Sequence, residues 1–345
     1  ISMKKKQITF FDEENRYEKL TELGDPLEKL NSVIKWEMFR DKLTKACQKE
    51  DTGKGGRPPI DIIVKWKASI IKRIYNLSID QTEYQINDRL SFMRFCGLSL
   101  SDNVLDSRTI WDFENTLAQS GIMEELFCMF DEMLEEEGLI THTGTIIDAT
   151  FVDVPRQRNH HDENKKIKNG DIPEDWKKPE NAPKLAQKDT DARWTKKNNE
   201  THFGYKDHVK CDADSKLITN YCVTEASLHD SQMCTEMLDS KDKSFYADSA
   251  YSSEEIANNL PENCENHICE KGYKNHPLTD EQKESNRQKS KIRCRIEHIF
   301  GFMTGSMHGI NIRTIGITRA WFQIGFMNLV YNMLRYEFLK RSEAC

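Results

Sequence analysis

This chain of 345 residues lacks an apolar run of transmembrane length, and no secretory hydrophobic segment is found in it. Its ten cysteines follow no regular spacing, so the sequence carries no disulfide framework. These absences lead to an expectation of a reducing, cytoplasmic setting with no membrane partner. There is no net positive charge either. The formal total of −7 argues against a surface coated throughout for nucleic acid, because non-specific phosphate binding relies on Lys and Arg. The distribution is uneven, however. DEMLEEE at 131–137 is strongly acidic, whereas RQKSKIRCR at 287–295 holds five basic residues and no acidic one. The length suffices for a substantial core, and one medium-sized domain plus a smaller one is expected.

Residues 1–23 read as a polar lead-in. From Gly24 the sequence takes on a helical pattern, with Leu27, Leu30, Ile34 and Phe39 recurring at intervals near three and four. The glycines and prolines of DTGKGGRPPID then mark a break. Asp61 can start a helix whose stripe is Ile63, Trp66, Ile70 and Ile74, leaving Lys65, Lys67, Lys72 and Arg73 on an outer basic surface. Ser78 followed by Gln81 forms a capping-box pattern, and a further helix starts near Asp106 or Ser107. This front region admits two readings, a DNA-binding helical module or a structural bundle made soluble by its lysines.

After an acidic helix at 121–138 the pattern turns to strands. TIIDATFVDV is the first, and FGYKDHVKCD and KLITNYCVTEA follow, joined by the turn residues 212–215. The stretch at about 159–200 is polar and has little apolar material to bury, so a loop or a partner-ordered segment is expected. HDSQMCTEMLD reads as a helix, SFYADSAYSS as a strand with its exit, SSEEIANNL as a helix and NHICEKG as a short strand. Residues 279–303 read as one long helix capped by Thr279 or Asp280. The last apolar segment is a terminal helix too interrupted by Arg, Gln and Asn to span a membrane. The sum is a mixed α/β core flanked by helices.

Two residues stand out against this pattern. Asp148 lies in the middle of a β-branched run, and Asp248 closes the run Phe245, Tyr246, Ala247. Either aspartate alone is compatible with an edge strand facing water. Together, on paired strands, two carboxylates repel unless they are protonated or bridged by a cation, and a hard divalent ion with oxygen ligands resolves the conflict. A third acid, Glu297, follows Arg293 by one helical turn at the end of the basic run. That pair reads equally as an ordinary i,i+4 salt bridge. Asp148, Asp248 and Glu297 together could hold two Mg²⁺ ions, a set suited to phosphodiester hydrolysis and strand transfer without a covalent protein nucleophile. Arg287, Lys289, Lys291, Arg293, Arg295 and His298 are then candidates for phosphate contact. Asp153 is out of phase with Asp148, and Asp212 and Asp214 look like turn acids. Cys264, His267, Cys269 and His276 carry metal-ligating groups, but their spacing matches no closed zinc pattern, and ordinary reduced cysteines are the plainer reading.

At these residues the chain resembles the bacterial DDE transposases of the insertion-sequence-five family, related to the insertion-sequence-four group. The resemblance runs over GGRPPIDIIVKWKASIIKRIYNLSIDQTEYQINDRLSFMRF, TIWDFE, GTIIDAT, DARWTKK, FGYKDHV, YADSAY and LTDEQKESNRQKSKIRCRIEHIFG. It implies an RNase H-like catalytic domain with Asp148, Asp248 and Glu297 as its catalytic acids and metal ligands. It also implies Mg²⁺, for which Mn²⁺ can substitute, and Arg293 as the accompanying arginine. The broader group has a tyrosine seven places before the glutamate and a lysine seven after it; here Ser290 and Thr304 stand there. His208 and His229 lie in family-like stretches and become candidates for support near the site or contact with flanking DNA. The implied organisation is a helical end-binding and dimerisation module at 24–120, with Arg57, Lys65, Lys67, Lys72 and Arg73 as DNA-binding candidates. A connecting helix at 121–138, a catalytic domain at 139–312 and a C-terminal helical segment at 313–345 follow. The implied partners are double-stranded DNA bearing terminal inverted repeats, target DNA, and a second copy of the chain on paired ends. A domesticated nuclease and a non-enzymatic DNA-binding regulator are the competing readings.

Overall fold

The computed structural model describes residues 12–48, 60–197, 199–274 and 276–343. Most of the predicted linker, including Arg57, lies outside them. The chain divides into two compact units, Ile1–Thr116 with Tyr336–Cys345, and Leu117–Arg335.

The first unit contains α1 (Asp12–Glu22), α2 (Pro26–Val33), α3 (Arg40–Ala46), α4 (Ile62–Ile74), α5 (Ile79–Asp88), α6 (Leu90–Cys96) and most of α7 (Ser107–Ser120). Its helix starts are chemically explicit. Asp61 accepts from the Ile63 amide at 2.7 Å, and Ser78 and Gln81 form the reciprocal capping box at 3.1 and 2.9 Å. Ile63, Trp66, Ile70 and Ile74 are all buried, as the stripe requires. The basic outer surface expected on α4 is reduced, with Lys65 left partly exposed. Arg73 is buried, and Lys72 pairs with Glu114 at 2.7 Å. Lys67 is buried too, with its ammonium 2.7 Å from Asn31 Oδ1 and over the rings of Trp36 and Phe95. Long aliphatic stems let these side chains pack as part of the wall, with the charge satisfied locally.

The second unit holds a six-stranded mixed sheet. Its strands are β1 (Thr145–Asp153), β2 (Arg193–Lys197), β3 (Glu200–Asp212), β4 (Ile218–Glu225), β5 (Ser244–Tyr246) and β6 (Glu265–Asn266). β3 pairs antiparallel with β1, β2 and β4, and β5 pairs parallel with β1 and β6. Between and after the strands come α8 (Met123–Glu136), α9 (His161–Lys168), α10 (Ala182–Ala186), α11 (Cys234–Met237), α12 (Glu254–Asn258), α13 (Asp280–Arg293), α14 (Arg295–Gly305) and most of α15 (Ile317–Glu343). This is the expected mixed α/β core with helices before and after it, the architecture of an RNase H-like DDE fold. Among the described residues, no helix is long and apolar enough to cross a membrane.

Two sequence expectations change. The polar stretch at 159–200 is ordered by its own small core. Trp176 is fully buried, its indole N–H donating to Glu163 at 2.8 Å with Lys184 and Lys188 over its ring, and β2 pairs along Glu200–Gly204 of β3. The predicted long helix is broken at Cys294. α13 buries no residue, whereas α14 buries Ile296, Ile299 and Met303 and is tied down by Arg295 on the Ala213 carbonyl at 2.9 Å. Packing therefore begins where the polar helix ends. Gly204 has φ +153° and faces β1 so closely that a Cβ would lie 2.2 Å from the Val152 carbonyl oxygen. Only glycine allows β1 and β3 this approach.

Within this unit Asp207 of β3 is wholly buried and accepts from Asn328 Nδ2 of α15 at 3.0 Å. Neither Asp207 Oδ2 nor Asn328 Oδ1 meets a donor among the described residues, and burial pushes the Asp207 pKa up to about 7. A proton on the carboxyl would remove the buried charge. The folded-state pKa is raised, so the stability this group contributes at acid pH is lost as pH climbs from the ordinary carboxylate range through about 7. Asp207→Asn should therefore come closest to the wild type at about pH 4 and exceed its Tm by a few degrees near pH 8. Thermal unfolding across that range checks this, and a difference independent of pH would contradict it.

Candidate active site

β1 is fixed by buried Ile146 and Ile147, and Asp148 follows them with a partly buried carboxylate. Asp148 Oδ1 accepts from the Ala149 amide at 2.8 Å. Burial is the largest influence on its acidity and raises the pKa; the Ala149 amide opposes this, Asp248 raises it further, and Arg293 and Lys197 lower it, leaving it at about 6. The carboxylate therefore stands in a site where like charge is felt and positive charge is drawn in.

Asp248 arrives by the parallel pairing of β5 with β1. Thr145 stands opposite Phe245 and Ile146 opposite Tyr246, so continuing the same offset leads from Asp148 to Asp248. The strand is shorter than the sequence suggested. Asp248 lies beyond its end and caps the 3₁₀ turn Ser249–Tyr251, its Oδ1 accepting from the Ala250 amide at 2.8 Å. A short polar side chain that bonds its own following backbone ends a strand as readily as it starts a helix.

Glu297 is in the first turn of α14 and is exposed. Arg293, the last residue of α13, links it to Asp148. Its Nη2 donates to Glu297 Oε1 at 3.1 Å, and its Nη1 lies 3.6 Å from Asp148 Oδ2. One guanidinium thus joins acids that are far apart in the chain, and the Arg293–Glu297 pair is more than a local helix salt bridge.

The remaining candidates separate clearly. Arg287 and Lys291 are exposed on α13, whereas Lys289 donates to the Ile268 carbonyl at 3.0 Å. Arg295 pairs with Asp214 at 2.8 Å, and His298 Nδ1 lies 2.9 Å from Lys216 Nζ. His208 is fully buried with Nε2 2.8 Å from Thr224 Oγ1, and burial pushes its pKa down to about 4. It is a neutral internal group and cannot touch flanking DNA. His229 is exposed, and its Nδ1 accepts from the Ser231 amide at 3.3 Å, capping the turn that carries Asp230. Ser290 lies 3.8 Å from Cys269 Sγ, and the Thr304 hydroxyl bonds back to the Phe300 carbonyl at 2.8 Å. Asp153 is exposed beside His202, and Asp212 organises its turn by accepting from the Asp214 and Ser215 amides, as expected of turn acids.

Two groups that the sequence reading passed over lie in this unit. Lys197 of β2 is within electrostatic reach of Asp148, a position betrayed in the sequence only by the paired lysines of DARWTKK. The second is His142, Asp239 and Asp242, whose ligand atoms all lie within 4.8 Å of one another, the trio among the described residues that could hold a metal ion. Lys210 already serves two of them, its ammonium 2.7 Å from both Asp239 Oδ2 and Asp242 Oδ2. Asp148, Asp248 and Glu297 do not form so tight a trio, and Arg293 contacts two of the three. Cys264, His267, Cys269 and His276 do not form one either; His267 pairs with Glu265 at 3.1 Å and stacks on Tyr246.

The carboxylates present still suit a hard cation. They are oxygen donors, and at Asp148 burial first and the Asp248 charge after it already disfavour the ionised form. Asp248→Asn should lower the Asp148 pKa in the metal-free protein and Arg293→Gln should raise it, read from ¹³C carboxyl shifts in an NMR titration. If neither change moves Asp148, the three side chains are not neighbours in solution.

A Transposase DDE domain model matches residues 140–333, and a Transposase domain (DUF772) model matches residues 14–116. Among solved structures, the piggyBac transposase synaptic complex with hairpin DNA, determined by cryo-EM, is similar at 9% identity with a TM-score of 0.46, covering 92% of this chain and 76% of that one. With more than half of this chain matched by the DDE domain, the chain belongs to the DDE transposase family.

Proposed function

We propose that this protein is a DNA transposase of the insertion-sequence-five type, one that binds the terminal inverted repeats of its own element, cleaves phosphodiester bonds to expose 3′-hydroxyls, and joins those ends to target DNA. The observation that carries this reading is the convergence of Asp148 and Glu297 on Arg293, with Asp248 close enough to raise the Asp148 pKa. A nucleic-acid phosphate is the substrate for which such a set of acids and one arginine is suited.

In this reading Asp148, Asp248 and Glu297 hold magnesium, two ions being expected and manganese able to replace them. Bound there, divalent metal supplies Lewis-acid activation of a water or 3′-hydroxyl and stabilises charge on the departing 3′-oxygen. The chain's own residues do the rest. Arg293, released from the carboxylates it now bridges, neutralises a phosphate, and its planar fork suits two phosphate oxygens at once. Arg287 and Lys291, exposed on the polar helix leading to Arg293, follow the backbone. The helical module at 24–120 holds the DNA ends and dimerises, since synapsis joins two ends. The setting is the cytoplasm, at the nucleoid when DNA is bound.

Asp148→Asn, Asp248→Asn and Glu297→Gln should each lower Mg²⁺-dependent cleavage of end DNA roughly a thousandfold, about 4 kcal/mol of transition-state stabilisation, while DNA binding in EDTA persists. The substrate is a plasmid carrying the DNA that flanks this reading frame on both sides. Wild-type cleavage rates in Asp148→Asn would remove the assignment. Joining of pre-cleaved ends separates a transposase from a nuclease, which would cut them and never join them.

A further inference from the structure

The polar stretch between β1 and β3 encloses a cavity of about 430 Å³ against the sheet. One wall is α9. His161, Asn164, Lys165 and Lys168 all line the cavity, and helical spacing puts them on a single face of that helix. The other wall is aromatic. Trp194 of β2 and Phe203 of β3 are cross-strand partners, their rings 4.7 Å apart and 33° from parallel. Phe203 is buried, while Trp194 keeps 38% of its surface open. Asp189 is the one acid among the described lining residues, and its charge is already met. The Tyr205 hydroxyl lies 2.8 and 2.9 Å from its two oxygens, and the Ala192 and Gly316 amides donate to it at 3.0 and 3.2 Å. Lys165 and Lys168 are exposed and form no ion pair among the described residues. The cavity thus offers a flat aromatic surface opposite two uncommitted ammonium groups.

Strand alternation places the aromatic wall on the same face of the sheet as Asp148. Asp148 pairs with Val209, and Phe203 lies six residues from Val209 along β3, an even number that keeps both on one face. Trp194 shares that face as the partner of Phe203. Six residues at about 3.3 Å each make a separation of about 20 Å. A duplex strand advances about 3.4 Å per nucleotide, so DNA seated on the acids and running along β3 meets this cavity about six nucleotides from the reacting phosphate. The volume falls in the range of sites for one small molecule, about 300–1,000 Å³. It admits a single nucleotide, and a base still paired within the duplex stack has no access to it. A planar π-face joined to a phosphate matches the two walls, since bases stack on indole whatever their sequence and phosphates seek ammonium groups.

We propose that the cavity between α9 and the β2–β3 edge binds one unpaired nucleotide of the DNA, its base stacked on Trp194 and its phosphate held by Lys165 and Lys168. The inference rests on the reading of this chain as a DNA transposase for the class of its ligand. It goes beyond that reading by giving the polar stretch between β1 and β3 a binding site of its own, away from the acids.

The experiment measures binding in EDTA, so that no result depends on metal or on the acids. Wild type, Trp194→Ala, Trp194→Phe and a double variant with Lys165→Ala and Lys168→Ala are compared on a short oligo(dT) strand and on an abasic strand of equal length. They are then compared on duplexes bearing the flanking end sequence, made abasic at one position at a time. Trp194→Ala should bind oligo(dT) about tenfold more weakly and the abasic strand as wild type does, and Trp194→Phe should recover most of the loss. The double lysine variant should weaken both strands alike and flatten the salt dependence by about two phosphate contacts. On the duplexes, the difference between wild type and Trp194→Ala should vanish at one abasic position and persist at the others. Equal losses on oligo(dT) and the abasic strand would make Trp194 structural and overturn the inference. Unchanged affinity in Trp194→Ala, or a duplex difference that no abasic position removes, would overturn it too. So would loss of self-association by Trp194→Ala without DNA, which would make the cavity a seat for a second copy of the chain. The single strands carry no end sequence, so failure to prefer the flanking DNA would count against the proposed function alone, and the oligo(dT) comparison would still decide the cavity.

Discussion

Asp148 and Asp248 stand close enough for like charge to be felt, and burial adds the larger share to the raised pKa of Asp148. Asp148 is placed on the central strand by the burial of Ile146 and Ile147, so its position is fixed by packing that ignores its charge. Asp248 is placed by backbone pairing and by its own turn. Neither can retreat without breaking a ladder or a cap. The structure meets the problem with Arg293, whose guanidinium reaches Asp148 and Glu297 together. An arginine cannot lose its charge and forms a planar fork, so it makes a durable placeholder between carboxylates. It sits where α13 ends and α14 begins, four residues before the glutamate it contacts.

The topology explains why acids so far apart in sequence meet. Parallel pairing of β5 with β1 sets one constant offset between them, and the offset at Thr145 and Ile146 carries over to the two aspartates. Parallel strands require a long connection, and here it contains β2, β3, β4 and α11. The connection also carries buried charges that pair among themselves, Lys206 with Asp230 and Lys210 with Asp239.

The sequence revealed features that act locally and concealed those with distant partners. Asp61, Ser78 and Thr279 were readable as caps because each bonds an amide two or three residues away. Asp148 was readable because an acid among β-branched residues is an anomaly within its own strand. β2 was hidden because RWTKK has no apolar alternation, and its strand character comes from backbone bonds to β3. β3 was readable as a strand, but the burial of its charges was not. Lys206, Asp207, His208 and Lys210 are all buried, and their partners Asp230, Asn328, Thr224 and Asp239 lie 24, 121, 16 and 29 residues away. Lys67 and Arg73 misled in the same way, since periodicity shows which face is apolar and cannot show that a lysine stem is packed into the wall. The break in the long helix was invisible because α13 and α14 share one uninterrupted helical composition, and only the packing of Ile296 and Ile299 distinguishes them.

Buried ion pairs are seldom a net gain in stability, because desolvating both charges offsets much of their attraction. Lys210 is therefore better understood by what it positions. Its ammonium holds Asp239 and Asp242, and Asp242 Oδ1 also accepts the Thr145 hydroxyl at 2.7 Å. Thr145 is the first residue of β1, and Asp242 lies two residues before β5 begins. The strand that carries Asp148 and the strand that delivers Asp248 are thus fastened to each other at their entrances as well as along their ladder. A cation introduced at His142, Asp239 and Asp242 would compete with Lys210 for the carboxylates that make this fastening. This fastening adds to the β1–β5 register, since β5 is only three residues long and offers little backbone of its own.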